Sequence, residues 1–110
     1  MTDERIEKTK AAIESAENIP ADTKAELLDL LSKLEPAIAK VSETHHEDAK
    51  SIAHLVETSA HETIRAEKKP EHANRVLHEL KRSVENFEAS HPQLVASVNK
   101  YSTLLSALGI

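Results

Sequence analysis

The sequence predicts an all-α protein, and three features of its composition and spacing carry that prediction. Alanine, which has the highest helix propensity, occurs fifteen times, while phenylalanine and tyrosine occur once each and tryptophan is absent. A single glycine cannot supply the turns that hairpins and barrels need. Apolar residues recur every three or four positions, as on one face of a helix. We therefore expect antiparallel helical hairpins that form a small bundle within one domain, residues 1–110.

Two helices are expected in the first part of the chain, over residues 3–18 and 22–41. Pro20 ends the first, because the residue before a proline disfavours the helical conformation, and Asp22 is expected as the N-cap of the second. Pro36 lies within the second helix, which either kinks or restarts there. The apolar residues of this helix are spaced four, three, four and three apart, like the seam of a coiled coil: Leu27, Leu31, Leu34, Ile38 and Val41.

Three further helices are expected over residues 47–67, 70–89 and 92–108. A loop or frayed turn near residues 42–46 precedes the third helix. Pro70 begins the fourth, since proline is tolerated in the first turn of a helix.

The final helix is the least charged part of the chain. Between residues 92 and 110 only Lys100 carries a charge. Ser90 and Gln93 have the spacing of a capping box at the start of this helix. Its apolar face is too hydrophobic to be left in water, so we expect it to be a buried helix or an interface with another chain. The expected interface residues are Leu94, Val98, Tyr101, Leu105 and Leu108.

Two arrangements of the helices remain open. The apolar phase continues across Pro36, across residues 42–46 and across Pro92. This periodicity is compatible with short helices that fold back on one another and with long kinked helices completed by dimerisation. Narrow seams favour the second arrangement, since a monomeric bundle usually needs a broader apolar stripe on each helix. We therefore expect a homo-oligomer or a complex with a helical protein partner.

Composition excludes several functional classes. The absence of cysteine excludes disulfides, thiolate zinc sites, iron–sulfur clusters and a cysteine nucleophile. One glycine leaves no nucleophile elbow and no phosphate-binding loop. The net charge of −5 and the lack of stacking aromatics disfavour nucleic-acid binding. No apolar run approaches the roughly 18 residues of a membrane span. The charged stretch TDERIEKTK is unlike a secretory signal, so we expect a cytoplasmic protein without membrane insertion.

The seven histidines are confined to the stretch between His45 and His91. On a helix, His54, Glu57 and His61 share one face, from which side chains in successive turns could bind one divalent transition metal. The alternative interpretation is a solvated face of intrahelical ion pairs with no cofactor.

Two Glu-x-x-His pairs, Glu43 with His46 and Glu88 with His91, have the spacing found in ferritin-like di-iron bundles. Chance alone predicts about one such pair in a chain of this composition. Charging all seven histidines would move the net charge from −5 to +2, so a pH sensor is a further interpretation.

The C-terminal third carries a family resemblance. It contains Phe87 and Glu88, then His91 and Pro92, then Leu94, and it ends in Leu-Gly-Ile. This ending resembles the bacterial domain of unknown function 4404 family, whose members close with a comparable FE-x-x-HP-x-L stretch and a terminal GI. Residues from Asp22 to Leu34 are similar more loosely, and the histidine-rich stretch is longer than expected of that family. The resemblance implies a small helical bacterial protein and implies no activity.

The sequence thus predicts a non-enzymatic small helical protein that acts through self-association or protein–protein interaction, in an unknown biological role. The alternative is a metal-binding helical bundle, ferritin-like or zinc- or copper-binding, that uses the His/Glu-rich central helix.

Overall fold

A computed structural model of the chain, which describes residues 2–64 and 70–108, contains five α-helices. They are α1 (Thr2–Ser15), α2 (Ala21–Ser42), α3 (His46–Ile64), α4 (Pro70–Val84) and α5 (Pro92–Ala107). A 3₁₀ turn, Glu85–Phe87, follows α4. The described residues include no strand. The all-α prediction is confirmed.

Four of the helices form a closed ring, in which α2 packs on α3, α3 on α4, α4 on α5 and α5 on α2. α1 packs on both α2 and α3 and so lies over the groove between them. Short connections make successive helices fold back on one another, as in an up-and-down bundle. The folded chain measures 37 × 25 × 20 Å.

The apolar seams meet inside this one chain. All five seam residues of α2, from Leu27 to Val41, are fully buried, and a single hydrophobic core draws residues from all five helices. Burying each such leucine or isoleucine stabilises the fold by about 1.5–3 kcal/mol. The structure therefore contains the short helices that fold back, and its core is complete without a second chain.

α2 runs without a break across Pro36. The proline ring removes the N–H that would donate to the carbonyl of Ser32 one turn earlier. Both residues lie on the exposed side of α2, where water can donate to that carbonyl instead. Of the two expected alternatives, a kink or a restart at Pro36, the restart is absent, because the lost hydrogen bond falls on the solvent side of the helix.

α1 ends at Ser15, earlier than the expected residue 18. Lys24 of α2 donates from Nζ to the carbonyl oxygens of Glu14 and Ala16, at 3.1 and 2.6 Å. The last carbonyls of α1 are thus satisfied by a cation from the following helix, which suits the negative end of the helix dipole.

The side-chain caps expected for α2 and α5 are not formed. α2 has Pro20 in the N-cap position, so Asp22 lies in the first turn, where its charge still favours the positive helix end. α5 has His91 in the N-cap position and no side-chain cap hydrogen bond. The expected capping box of Ser90 and Gln93 is wrong by one residue, because the proline after His91 takes the first helical position.

α4 ends at Val84, five residues before the expected end of the fourth helix. The chain tightens there into the 3₁₀ turn, which brings Phe87 into the core with only 6% of its surface exposed. Residues 65–67, expected at the end of the third helix, lie outside the described residues.

A tyrosine of α5 crosses the core to reach α3. Tyr101 is fully buried, and its hydroxyl donates to the carbonyl oxygen of Val56 at 2.9 Å and lies 2.9 Å from Ser59 Oγ. Ser59 Oγ lies 2.9 Å from the same carbonyl oxygen. The two hydroxyl groups and this carbonyl oxygen thus make three contacts, for which the hydroxyl groups have two protons to donate. Burial raises the pKa of Tyr101 well above its ordinary value of about 10, an effect that the hydrogen bond with Ser59 partly offsets.

We expect Tyr101 to make the free energy of unfolding fall with rising pH above about pH 10. The unfolded chain releases the phenol proton there, whereas the folded chain keeps it because its Tyr101 pKa is raised. The contribution of Tyr101 to the free energy of unfolding is fully present below about pH 10. Above that pH it falls by up to about 1.4 kcal/mol per pH unit. Urea unfolding at several alkaline pH values measures this slope. The variant Tyr101→Phe should have a shallower slope by that amount, and equal slopes in the two proteins would contradict the prediction.

Candidate functional site

A groove runs along the outside of the bundle between α2 and α5. It consists of three adjoining depressions of about 530, 370 and 450 Å³, all bordered by Lys33. We call it the α2/α5 groove. Its walls are residues 26–40 of α2 and residues 92–107 of α5, and Ser90 and His91 border it just before α5 begins.

The two helices run antiparallel along the α2/α5 groove. The depression that contains Glu26 is bordered by the end of α5, including Ala107, whereas the depression that contains Lys40 is bordered by Pro92 at its start. Residue numbers on α5 therefore fall as those on α2 rise. Successive helices of the ring fold back on one another, so α5, three helices after α2, runs antiparallel to it.

The floor of the α2/α5 groove is apolar and its rim is charged. Leu30 is 8% exposed, and Leu104 is half-buried against the core. On the rim, Lys33 Nζ lies 3.2 Å from Asp29 Oδ2, and the two side chains are 60% and 65% exposed. A protein–protein contact has this anatomy, with an apolar centre and a polar margin.

The predicted interface residues of α5 mostly face away from this groove. Leu94, Val98, Tyr101 and Leu105 have no exposed surface because they fill the core of their own chain, and Leu108 is half-buried. In this fold the first four line the interior of the bundle. Leu94 also borders the groove at the start of α5, and Leu104 borders it nearer the end of the helix. The seam pattern did not single out Leu104, because it lies one position outside the seam.

The three residues of the predicted metal site lie along α3. His54 and His61 are exposed, and Glu57 is half-buried. Within residues 2–64 and 70–108, no three histidine, aspartate or glutamate side chains form a group that could hold a metal ion. The proposed ligand set of His54, Glu57 and His61 thus rests on helical spacing alone.

A different histidine meets a buried carboxylate. His72 Nδ1 of α4 lies 2.7 Å from Glu62 Oε1 of α3. The Glu62 side chain is only 6% exposed, whereas that of His72 is 50% exposed. A carboxylate is costly to bury without partners, so this contact ties the end of α3 to the start of α4. Sequence spacing could not reveal it, because the two residues belong to different helices.

Two further histidines pack on the single phenylalanine of the chain. The rings of His45 and His91 lie edge-to-face on Phe87, with centroid distances of 5.2 and 5.8 Å. His46 Nδ1 lies 3.1 Å from Ser42 Oγ at the turn between α2 and α3. The histidines of both Glu-x-x-His pairs, at positions 46 and 91, therefore each contact a residue four positions earlier in the chain.

The chain matches no protein-family model, no curated protein and no solved structure. The family resemblance of its C-terminal third stays a prediction from those residues. None of the described helices combines the length and the apolar character that crossing a membrane requires.

We expect His72→Ala to lower the free energy of unfolding by about 1 kcal/mol, because the buried Glu62 carboxylate loses a partner that is itself half exposed. The matched changes His54→Ala and His61→Ala remove exposed imidazoles from helix positions and should change it by less than about 0.5 kcal/mol. Urea unfolding of the three variants compares them directly. Three equal changes would show that the contact with Glu62 has no special weight.

Proposed function

We propose that this protein is non-enzymatic and acts through self-association, with the α2/α5 groove as its contact surface and the cytoplasm of a bacterium as its setting. The observation that carries this proposal is a difference between two grooves of the same bundle. α1 covers the groove between α2 and α3, whereas no described helix covers the other three grooves of the ring, and the α2/α5 groove among these contains three adjoining depressions.

The covered groove shows how this bundle accepts an additional helix. α1 buries Ile6, Thr9 and Ile13, one residue per turn, against α2 and α3. The open groove has an apolar floor of comparable kind and small residues along its length, among them Ala37 and Ala96. Small side chains let the ridge of another helix approach closely. A helix from a second copy therefore fits the chemistry and the shape of this surface.

The surroundings of the polar pairs support a non-enzymatic function. Ser42 Oγ lies 3.1 Å from His46 Nδ1, and Thr44 Oγ1 lies 2.8 Å from His45 Nδ1. A hydroxyl nucleophile needs a base that a third group orients, in a pocket that limits water. Both pairs are exposed contacts within one turn of chain, which is typical of surface capping interactions.

Self-association predicts that the average molar mass rises from 12.1 kDa towards twice that value as the protein concentration approaches about 1 mM. Ala96→Arg, which places a long charged side chain in the groove, should keep the protein at 12.1 kDa. Ala11→Arg makes the same change at an exposed helical position of α1 and should associate like the original protein. Light scattering after size-exclusion chromatography, with circular dichroism to verify folding, measures both.

A second pair of variants tests the apolar floor. Leu104→Glu should prevent association, and the control Leu55→Glu, a half-buried leucine of α3 away from the groove, should not. A protein that stays monomeric at about 1 mM, or equal association of the groove variants and their controls, would overturn the proposed function.

A further inference from the structure

The exposed charges of α2 are sorted by sign along its outer face. Asp22, Glu26 and Asp29 occupy the first half of the helix, and Lys33 and Lys40 occupy the second. They lie four, three, four and seven positions apart, so they form one stripe along the helix. All five are exposed, and the last four border the α2/α5 groove. We call these five residues the charge stripe.

The helix dipole accounts for Asp22 and Lys40, which lie in the first and last turns, but its effect falls off within those turns and does not account for Glu26, Asp29 and Lys33. It favours acidic residues near the start of a helix and basic residues near its end on every face. Away from the charge stripe α2 has the opposite order, with Lys24 in its first turn and Glu35 and Glu43 in or after its second half. Lys24 bonds to α1, so its position has a separate cause. The sorting of charge belongs to the outer face alone.

α5 adds one further charge to the same surface. Lys100 is exposed and borders the same depression as Lys33. It is also the single charged residue between positions 92 and 110. The surface around the α2/α5 groove therefore carries three carboxylates towards the start of α2 and two lysines towards its end, and Lys100 of α5 borders the depression that Glu26 and Asp29 also line.

We propose that two copies of the chain pack antiparallel through their α2/α5 grooves, about a twofold axis on the outer face of α2, at the level of residue 31 and midway between Asp29 and Lys33. This inference rests on the proposed function and specifies its partner and geometry. Asp29 and Lys33 lie two positions on either side of residue 31, and Asp22 and Lys40 lie nine positions on either side. A twofold axis there brings Asp29 against the partner's Lys33 and Asp22 against the partner's Lys40, and it makes each contact twice.

Other orientations of the same surfaces are less favourable. A parallel pairing would place Asp22, Asp29 and Lys33 each against its own counterpart, and like charges repel at this distance. Within each helix Lys33 Nζ lies 3.2 Å from Asp29 Oδ2. In the antiparallel pairing the two ion pairs lie side by side in opposite directions, so that each Asp29 also faces the Lys33 of the other copy. Each carboxylate then has an ammonium group on two sides. The apolar floor supplies affinity, and the charges set the direction.

A charge exchange within one chain tests this geometry. Asp29→Lys and Lys33→Asp, made singly, each put like charges together twice at the axis and should weaken dimerisation about tenfold. The double variant Asp29→Lys/Lys33→Asp restores opposite charges at both contacts. Its dissociation constant should return to within about threefold of the original value. Sedimentation equilibrium at low ionic strength, where exposed charges are least screened, measures all four proteins.

Two comparisons make the result decisive. Glu79→Lys, a reversal of charge at an exposed position of α4, controls for net charge and should leave dimerisation unchanged. If the original protein dimerises and Ala96→Arg prevents it, but the double variant stays as weak as the single ones, the antiparallel geometry is wrong while the proposed function stands. If the original protein does not associate at all, the proposed function itself fails.

Discussion

The apolar seam of α2, from Leu27 to Val41, is buried against α1, α3 and α5 at the same time, and the positions of those three helices follow from it. Isolated helices of 14 to 22 residues are only marginally stable in water. Burial of roughly 1.5–3 kcal/mol for each large apolar side chain is what makes them persist. The ring closes when α4, held by α3 and α5, completes the core.

This inward use of the seams leaves the outward faces free to interact with other molecules. α2 is the helix on which the two roles meet, since its inner face holds the bundle and its outer face carries the charge stripe. α5 behaves in the same way, with Tyr101 and Leu105 in the core and Leu104 at the groove. Charge reversal on the outer face therefore removes no contact of the core, so the proposed association can be tested separately from folding.

The polar contacts between helices separate what could be predicted from the sequence from what could not. The helical period located the apolar faces of α2 and α5, because the apolar face of a helix follows from local spacing. It did not predict the contact of Glu62 with His72, the bonds from Lys24 to α1, or the hydroxyl of Tyr101 on α3. Each of these joins residues of different helices, and their distance in space depends on how the helices pack.

By itself, the sequence determined that the chain is all-α, where its described helix ends lie to within five residues, and which faces are apolar. These properties follow from propensity and period, which act within one helix. Only the tertiary structure decided that the seams pair within one chain, because periodicity is equally satisfied by a partner from the same molecule or from another. It also decided that α1 covers the groove between α2 and α3 and leaves the α2/α5 groove open. The charge stripe of α2 therefore lies on an exposed surface beside an uncovered groove.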